Sequence, residues 1–343
     1  MSADRPLVLL DPHPRTSAMI FRPVDRARLN ALADVVSVDA GAVPDAIIDE
    51  CLPRVVAILG QTALPGERID RAKKLRAVLN VEGNFFPNVD YAACFARGIR
   101  VAVASPVFAR PVAEFALALA LDLMRGVTRS DRAFRRGEDR YGWRGNEGVE
   151  SLFGAELGLI GFGNIARALL PLLRPFGCNI SAFDPWLPAS VIAEHAVQPA
   201  SLPDLLARSR IVFVLAASTA DNRHLIGAPE LAQMRPGAGL ILLSRADVVD
   251  FAALYNALEA GHIEAAIDVF PSEPVAVDAP LRRCESAILS SHRAGGIDSA
   301  LKTIGEMAVD DLELILRGLP PVRMQLAHPE TVGIQRSRAG VVG

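Results

Sequence analysis

Short apolar runs separated by helix-like segments mark the chain from its start. Leu7–Leu10, Val35–Val38, Val55–Leu59, Leu75–Val81 and Ile99–Val103 are the first five. Such alternation predicts βα units built around a parallel sheet. Ser105-Pro106 reads as a break after the fifth run, and the first lobe boundary is placed there. Between Pro111 and Leu123 the apolar positions nearly encircle a helix, as expected of one buried between layers or between subunits. Arg125–Gly148 is polar, rich in Arg, Gly and Asp, with Tyr141 and Trp143 embedded, and is expected to wrap the surface. Strand signals resume at Leu157–Ile160 and continue through Asn179–Phe183, Val212–Leu215, Leu240–Leu243, Ala265–Val269 and Ala287–Leu289, predicting a second, separate α/β unit. A helix over Ser299–Arg317 and a weakly patterned tail follow.

Length agrees with two lobes: 343 residues exceed the size at which one core usually stops growing. Hydrophobic residues make up 51% and charged residues 22%, so the chain can bury a large core and carries no signature of disorder. A net charge of −3, with no run of five or more Lys and Arg, argues against nucleic acid as a partner. Leu7–Leu10 is too short for a signal-peptide core, and longer apolar runs such as Phe115–Leu121 stop far below the roughly 20 residues that span a bilayer. No membrane association is expected, and the location expected is cytoplasmic. Cys51, Cys94, Cys178 and Cys284 lie far apart with no C-x-x-C pair, which predicts reduced, mostly buried thiols, no disulfide framework and no metal site.

The first chemistry appears in the second lobe. Leu157–Ile160 reads as a strand, and Gly161-Phe162-Gly163-Asn164-Ile165-Ala166 follows it as G-x-G-x-x-A. Gly161 suits a tight strand-to-helix turn, and Gly163 leaves room for a pyrophosphate at the helix N-terminus. Asp184 ends the next strand at about the spacing of the ribose-binding carboxylate, roughly 20 residues beyond the turn. A carboxylate there accepts hydrogen bonds from ribose hydroxyls and repels a 2′-phosphate, which selects NAD over NADP. Pro171 inside the following helix predicts a kink.

Three further motifs follow in order, each just beyond a predicted strand: Leu243-Ser244-Arg245-Ala246-Asp247, then Ala266-Ile267-Asp268-Val269-Phe270-Pro271-Ser272-Glu273-Pro274, then Ser291-His292-Arg293-Ala294-Gly295-Gly296. With the nucleotide turn, and with Asn80-Val81-Glu82-Gly83-Asn84 and Val112-Ala113-Glu114 in the first part of the chain, these segments resemble the D-isomer-specific 2-hydroxyacid dehydrogenase family. The likeness fades near Pro320.

The resemblance implies an α/β protein of two Rossmann-like or flavodoxin-like domains with parallel sheets and a cleft between them. Residues 1–105 with 297–343 would form the substrate domain and 106–296 the NAD-binding domain. It implies hydride transfer between NAD and C2 of a small 2-hydroxy or 2-keto acid. His292 would give or take the proton, and Glu273 would hold the ring and favour its charged form. Arg245 would clamp the substrate carboxylate with its planar fork. Asn164 and Ile165 would meet the pyrophosphate, Ala217 and Thr219 the adenosine, Leu243 and Ser244 the nicotinamide, and Asp268 its carboxamide. Gly83 and Asn84 would offer backbone groups to the substrate carboxylate. The helix from Pro111 is similar to the family's dimer-forming helix, so a homodimer is expected.

Taken singly, Arg245 reads as an ion-pair residue, Glu273 as a turn residue and His292 as a cap or core histidine; order and motif favour the joint reading. His13, His195, His224, His262 and His328 match no catalytic position and read as structural, and Asp250 reads as an N-cap for Phe251–Leu258. Departures from the family pattern are Leu242, Ala246, Ala217 and Ser291, where Asn, Gly, Pro and Pro are common. Phe85 stands where many relatives have a second Gly, and its bulk is expected to narrow the substrate range. Arg293 reads as a surface ion pair or as extra positive charge for a dicarboxylate or phosphorylated substrate. A competing function is an NAD-sensing binding protein like the C-terminal-binding-protein corepressors; the short tail after Pro320 favours the enzyme. Formate dehydrogenases place Gln where Glu273 stands.

Overall fold

The computed structural model describes residues 5–334. The first four residues and tail residues 335–343 lie outside the described residues. The chain divides into two compact units, one drawn from the first 108 residues and from Gly296 onward, the other from Ala109–Gly295.

In the first unit, β1 (Leu7–Asp11), β2 (Asp34–Val36), β3 (Val55–Gly60), β4 (Ala77–Asn80) and β5 (Arg100–Val103) pair in parallel, in the order β5-β4-β3-β1-β2. Successive strand residues face opposite sides, so the sheet feeds two cores. Val8, Leu10, Ala57 and Leu59 join the helix Asp298–Leu316 through Ile304, Ala308 and Leu312. Leu7, Leu9, Val55 and Ile58 pack with Leu64, Ile69 and Tyr91 on the other side. Burial on both faces explains why these runs are continuously apolar rather than alternating. Each fully buried Leu or Ile, such as Leu9 and Ile58, contributes about 1.5–3 kcal/mol. The sheet reverses direction between β1 and β3, where Gly60 has φ +142° and a Cβ would lie 1.8 Å from the Asp11 carbonyl oxygen. Only glycine fits there.

The second unit holds β6 (Glu156–Ile160), β7 (Asn179–Phe183), β8 (Gln198–Pro199), β9 (Ile211–Val214), β10 (Gly239–Leu242), β11 (Glu264–Ile267) and β12 (Ala287–Leu289). All pair in parallel, in the order β12-β11-β10-β9-β6-β7-β8, so successive strands are added on one side of β6 up to β8 and on its other side from β9 onward. β9 and β10 are buried at every position. A last strand, β13 (Gln325–Leu326), returns to the first unit's edge and pairs antiparallel with β5, an addition that two residues of tail give no pattern to announce.

One expectation needs correction. Ser105-Pro106 does not break the chain: it is the first turn of the helix Ser105–Arg125, where proline's missing N–H costs nothing. Along that helix Glu114 and Ala118 are exposed within the single chain. The polar stretch after it holds the helix Val127–Arg136, bracketed by left-handed Gly126 and Gly137 and burying no residue, before the exposed segment that carries Tyr141 and Trp143. The helix Asn164–Leu173 continues through Pro171 and passes directly into a 3-10 turn at Arg174–Phe176. Cys51, Cys94 and Cys284 are buried free thiols and Cys178 is half-buried; burial pushes the Cys94 thiol up to about 12.

Candidate active site

The nucleotide turn is built at the point where the second sheet reverses. Beyond Ile160, Gly161 takes φ +90°, and a Cβ there would lie 2.6 Å from the Ala216 Cα, because the Leu215 N–H donates to the Ile160 carbonyl at 2.8 Å and draws the end of β9 alongside. The next glycine differs. A Cβ on Gly163 would meet nothing within 4 Å, so no neighbour in the fold demands glycine there. Gly163 opens the helix Asn164–Leu173 with no side-chain cap, leaving the first-turn N–H groups and the positive end of the helix to an anion. Both features fit a dinucleotide pyrophosphate above the turn. Asn164 is exposed and Ile165 half-buried beside it.

Asp184, just beyond β7, ties the turn down: Oδ2 accepts from the Phe162 N–H at 2.8 Å and Oδ1 from the Trp186 N–H at 2.9 Å. Each oxygen keeps acceptor capacity for a ribose hydroxyl. Ala217 and Thr219 lie on the loop after β9, closed by a residue the sequence reading passed over. Asn222 donates to the Ala217 carbonyl at 2.7 Å and exchanges bonds with Thr219, accepting its N–H at 2.8 Å. An Asn three residues past a Thr in a loop is a turn signal and could have been read as one.

The three residues expected to react lie beyond β10, β11 and β12, which are adjacent in the sheet. Leu243 and Ser244 are buried beyond β10, and the Ser244 Oγ is buried with no hydrogen-bond partner among the described residues. Arg245 follows, its Nη1 donating to the Ser244 carbonyl at 2.6 Å. Burial pushes its guanidinium below the ordinary range, and the charge of Glu273 opposes that shift. Beyond β11, Glu273 Oε1 accepts the Phe270 N–H at 2.9 Å, and the peptide to Pro274 is cis. Glu273 Oε2 lies 2.7 Å from His292 Nδ1. Glu273 is mostly buried, at 18% side-chain exposure, whereas His292 is at 50%, so its Nε2 can meet a ligand while Nδ1 is held. His292 has φ +54°, rare outside glycine and common at functional sites.

Asp268, at 1% exposure, accepts from the Arg293 and Ala294 N–H groups at 2.9 and 3.0 Å. Arg293 is exposed and its guanidinium makes no ion pair among the described residues, against the surface-pair reading. Gly83 and Asn84 lie on the first unit, in the loop after β4. A Cβ on Gly83 would lie 3.1 Å from the Phe108 ring. Phe85 is corrected here: at 3% exposure its ring turns into the first unit's core, edge-on to Tyr91 at 6.3 Å, and cannot narrow a substrate pocket. Asp250 is an N-cap, accepting from Ala252 and Ala253. His195 packs on Phe162 at 5.4 Å. Among the described residues no group of His, Cys, Asp and Glu could hold a metal ion, and no helix is long and apolar enough to cross a membrane.

Comparison with known proteins gives a consistent picture. Residues 117–294 match the model of the D-isomer specific 2-hydroxyacid dehydrogenase, NAD binding domain. The chain is 31% identical over 267 residues to D-3-phosphoglycerate dehydrogenase of Methanocaldococcus jannaschii, covering 77% of this chain and 50% of that protein. It is 34% identical over 266 residues to (S)-sulfolactate dehydrogenase of Chromohalobacter salexigens, covering 77% and 84%. A crystal structure of a phosphoglycerate oxidoreductase from Rhizobium etli superposes with a TM-score of 0.86 at 44% identity, over 95% of this chain and all of that one. The chain spans about half the length of several curated relatives it matches, the phosphoglycerate dehydrogenases among them.

Proposed function

The chain belongs to the D-isomer specific 2-hydroxyacid dehydrogenase family, and from that premise we propose that it interconverts a 2-hydroxy acid and its 2-keto acid with NAD, using His292 as acid and base. The observation that carries the reading is the 2.7 Å bond between His292 Nδ1 and Glu273 Oε2 at strand ends shared with Arg245. In reduction, His292 Nε2 gives its proton to the keto oxygen while Glu273 orients the ring and offsets its charge; in oxidation Nε2 takes the hydroxyl proton back. Arg245, anchored by the bond from its Nη1 to the Ser244 carbonyl, would clamp the substrate carboxylate with its planar fork, an attraction that its partial burial strengthens. NAD, when bound, supplies or accepts the hydride at C2. Gly161, Gly163, Asn164 and Ile165 serve the pyrophosphate and Asp184 the ribose. Ala217 and Thr219 serve the adenosine, and Leu243, Ser244 and Asp268 the nicotinamide, where the Ser244 hydroxyl, without a hydrogen-bond partner among the described residues, suits a polar ligand atom. In the first unit, the loop that carries Gly83 and Asn84 is the proposed substrate-binding loop. The protein works as a cytoplasmic homodimer, the exposed side of the helix Ser105–Arg125 being its contact.

Arg293, exposed one residue from the acid and in no ion pair among the described residues, favours an acid with a second anionic group. Relatives named for phosphoglycerate and sulfolactate agree. NADH oxidation is therefore expected with at least one of glyoxylate, hydroxypyruvate, pyruvate, 2-oxoglutarate, an aromatic 2-keto acid, or the keto acids of phosphoglycerate and sulfolactate, with the last two fastest. Binding of NADH without turnover of any of these would overturn the reading in favour of an NAD-sensing protein.

Asp184 sets the cofactor choice. NAD is expected to be preferred to NADP, and Asp184→Ala to raise KM for NAD about tenfold or more, since each hydrogen bond to a charged group is worth about 1.5–3 kcal/mol. The same variant narrows the NAD-to-NADP ratio by removing the repulsion of a 2′-phosphate. Steady-state kinetics with both cofactors measures this, and a wild-type preference for NADP contradicts it.

A further inference from the structure

His292 sits in a left-handed backbone conformation that side-chain-bearing residues rarely adopt, so something must hold it there. Three consecutive amides converge on one residue. The His292 N–H donates to the Asp268 carbonyl at 2.8 Å, the Arg293 N–H to its Oδ1 at 2.9 Å, and the Ala294 N–H to its Oδ2 at 3.0 Å. Successive N–H groups around a left-handed residue form a concavity suited to an anion, and here the anion is an aspartate carboxylate. Asp268 is itself fixed. It is buried at the exit of β11, and its N–H donates to the Leu242 carbonyl at 3.1 Å, at the end of the strand that leads to Arg245. A buried carboxylate persists only when partnered, and these amides are its partners.

We infer that Asp268 is a positioning residue: its carboxylate clamps the Arg293 and Ala294 amides, imposes the left-handed turn at His292, and thereby brings the imidazole within reach of Glu273. The hydrogen-bond geometry stands without the proposed activity. The consequence for rate rests on His292 being the acid and base. This role differs from a contact to the nicotinamide carboxamide, because it acts through the loop and operates without cofactor.

Asp268→Asn is nearly isosteric but turns an NH₂ towards one of the two amides, so the clamp is lost. With the apo protein, selective labelling of histidine, arginine and alanine should show the His292 Nδ1–H resonance displaced and the Arg293 and Ala294 amides exchanging about a hundredfold faster than in the wild type. With substrate at saturating NADH, kcat should fall about a hundredfold, as for other small misplacements of a reacting group. In a Glu273→Ala background, where the ring has lost its carboxylate partner, Asp268→Asn should cost less than about threefold more. Unchanged kcat at saturating NADH, with only the NADH affinity weakened, would leave Asp268 a cofactor contact alone and overturn the clamp. So would free-chain exchange of the Arg293 and Ala294 amides in the wild-type protein, a measurement that decides the matter even if the variant does not fold. Absence of turnover in the wild type, with those amides protected, would instead count against the proposed activity.

Discussion

Replacing His292 with Ala is expected to lower kcat for keto-acid reduction by about 10²–10⁴-fold, the usual contribution of a positioned acid or base, while NADH affinity stays nearly unchanged. The geometry separates the two effects. The imidazole is half exposed, so its removal leaves no core cavity, and its contact within the protein is Nδ1 to Glu273 at 2.7 Å. Glu273 keeps its bond from the Phe270 N–H, and the loop keeps the bonds of residues 292–294 to Asp268, because those use backbone groups. The nucleotide turn at Gly161–Asp184 is untouched. Stopped-flow rates of NADH oxidation and a fluorescence titration of NADH binding, run on the same preparation, test both halves. Wild-type turnover in the variant removes His292 from the proton step. A large loss of NADH affinity would show that the ring serves the cofactor instead.

Much of this architecture is legible in the chain itself, for a physical reason. Strands buried on both faces must be apolar throughout, and β9 and β10 therefore announce themselves. Asp184, Arg245, Glu273 and His292 stand out in the sequence through the family motifs that carry them, and each lies just beyond a strand, where parallel sheets place ligand-contacting residues. What escapes is whatever depends on neighbours distant in sequence. The helix Val127–Arg136 buries nothing and so lacks the apolar stripe that marks a helix; only the paired glycines at its ends hint at it. Ser105-Pro106 looks like a break because proline stops helices in their interior but is welcome in their first turn. Phe85 looks like a specificity residue by its place in a motif, yet the pocket it fills is made by Tyr91 and other core residues of the first unit. Asp268 is visible as a motif residue, but its partners are backbone amides some 25 residues further along the chain, which carry no side-chain signal.

The two glycines of the nucleotide turn should fail in different ways when each is given a methyl group. In Gly161→Ala the new Cβ would lie 2.6 Å from the Ala216 Cα and 2.7 Å from its N, at φ +90°. Neither atom can swing aside, since both belong to backbone held by the pairing of β6 with β9. The positive φ alone costs about 1–2 kcal/mol, and displacement of the strand ends adds to it, so a loss of about 3 kcal/mol or more in unfolding free energy is expected together with loss of NADH binding. Gly163→Ala meets nothing within 4 Å, and its φ of −85° is open to any residue, so thermal stability should stay within about 0.5 kcal/mol of the wild type. Its methyl group nevertheless stands where a pyrophosphate must approach the first turn of the helix Asn164–Leu173, and NADH affinity should fall at least about tenfold, or 1.4 kcal/mol. Urea denaturation and NADH titration on the pair separate a glycine required by the fold from one required by the ligand. Equal stability in the two variants would refute the first assignment, and undiminished NADH affinity in Gly163→Ala the second.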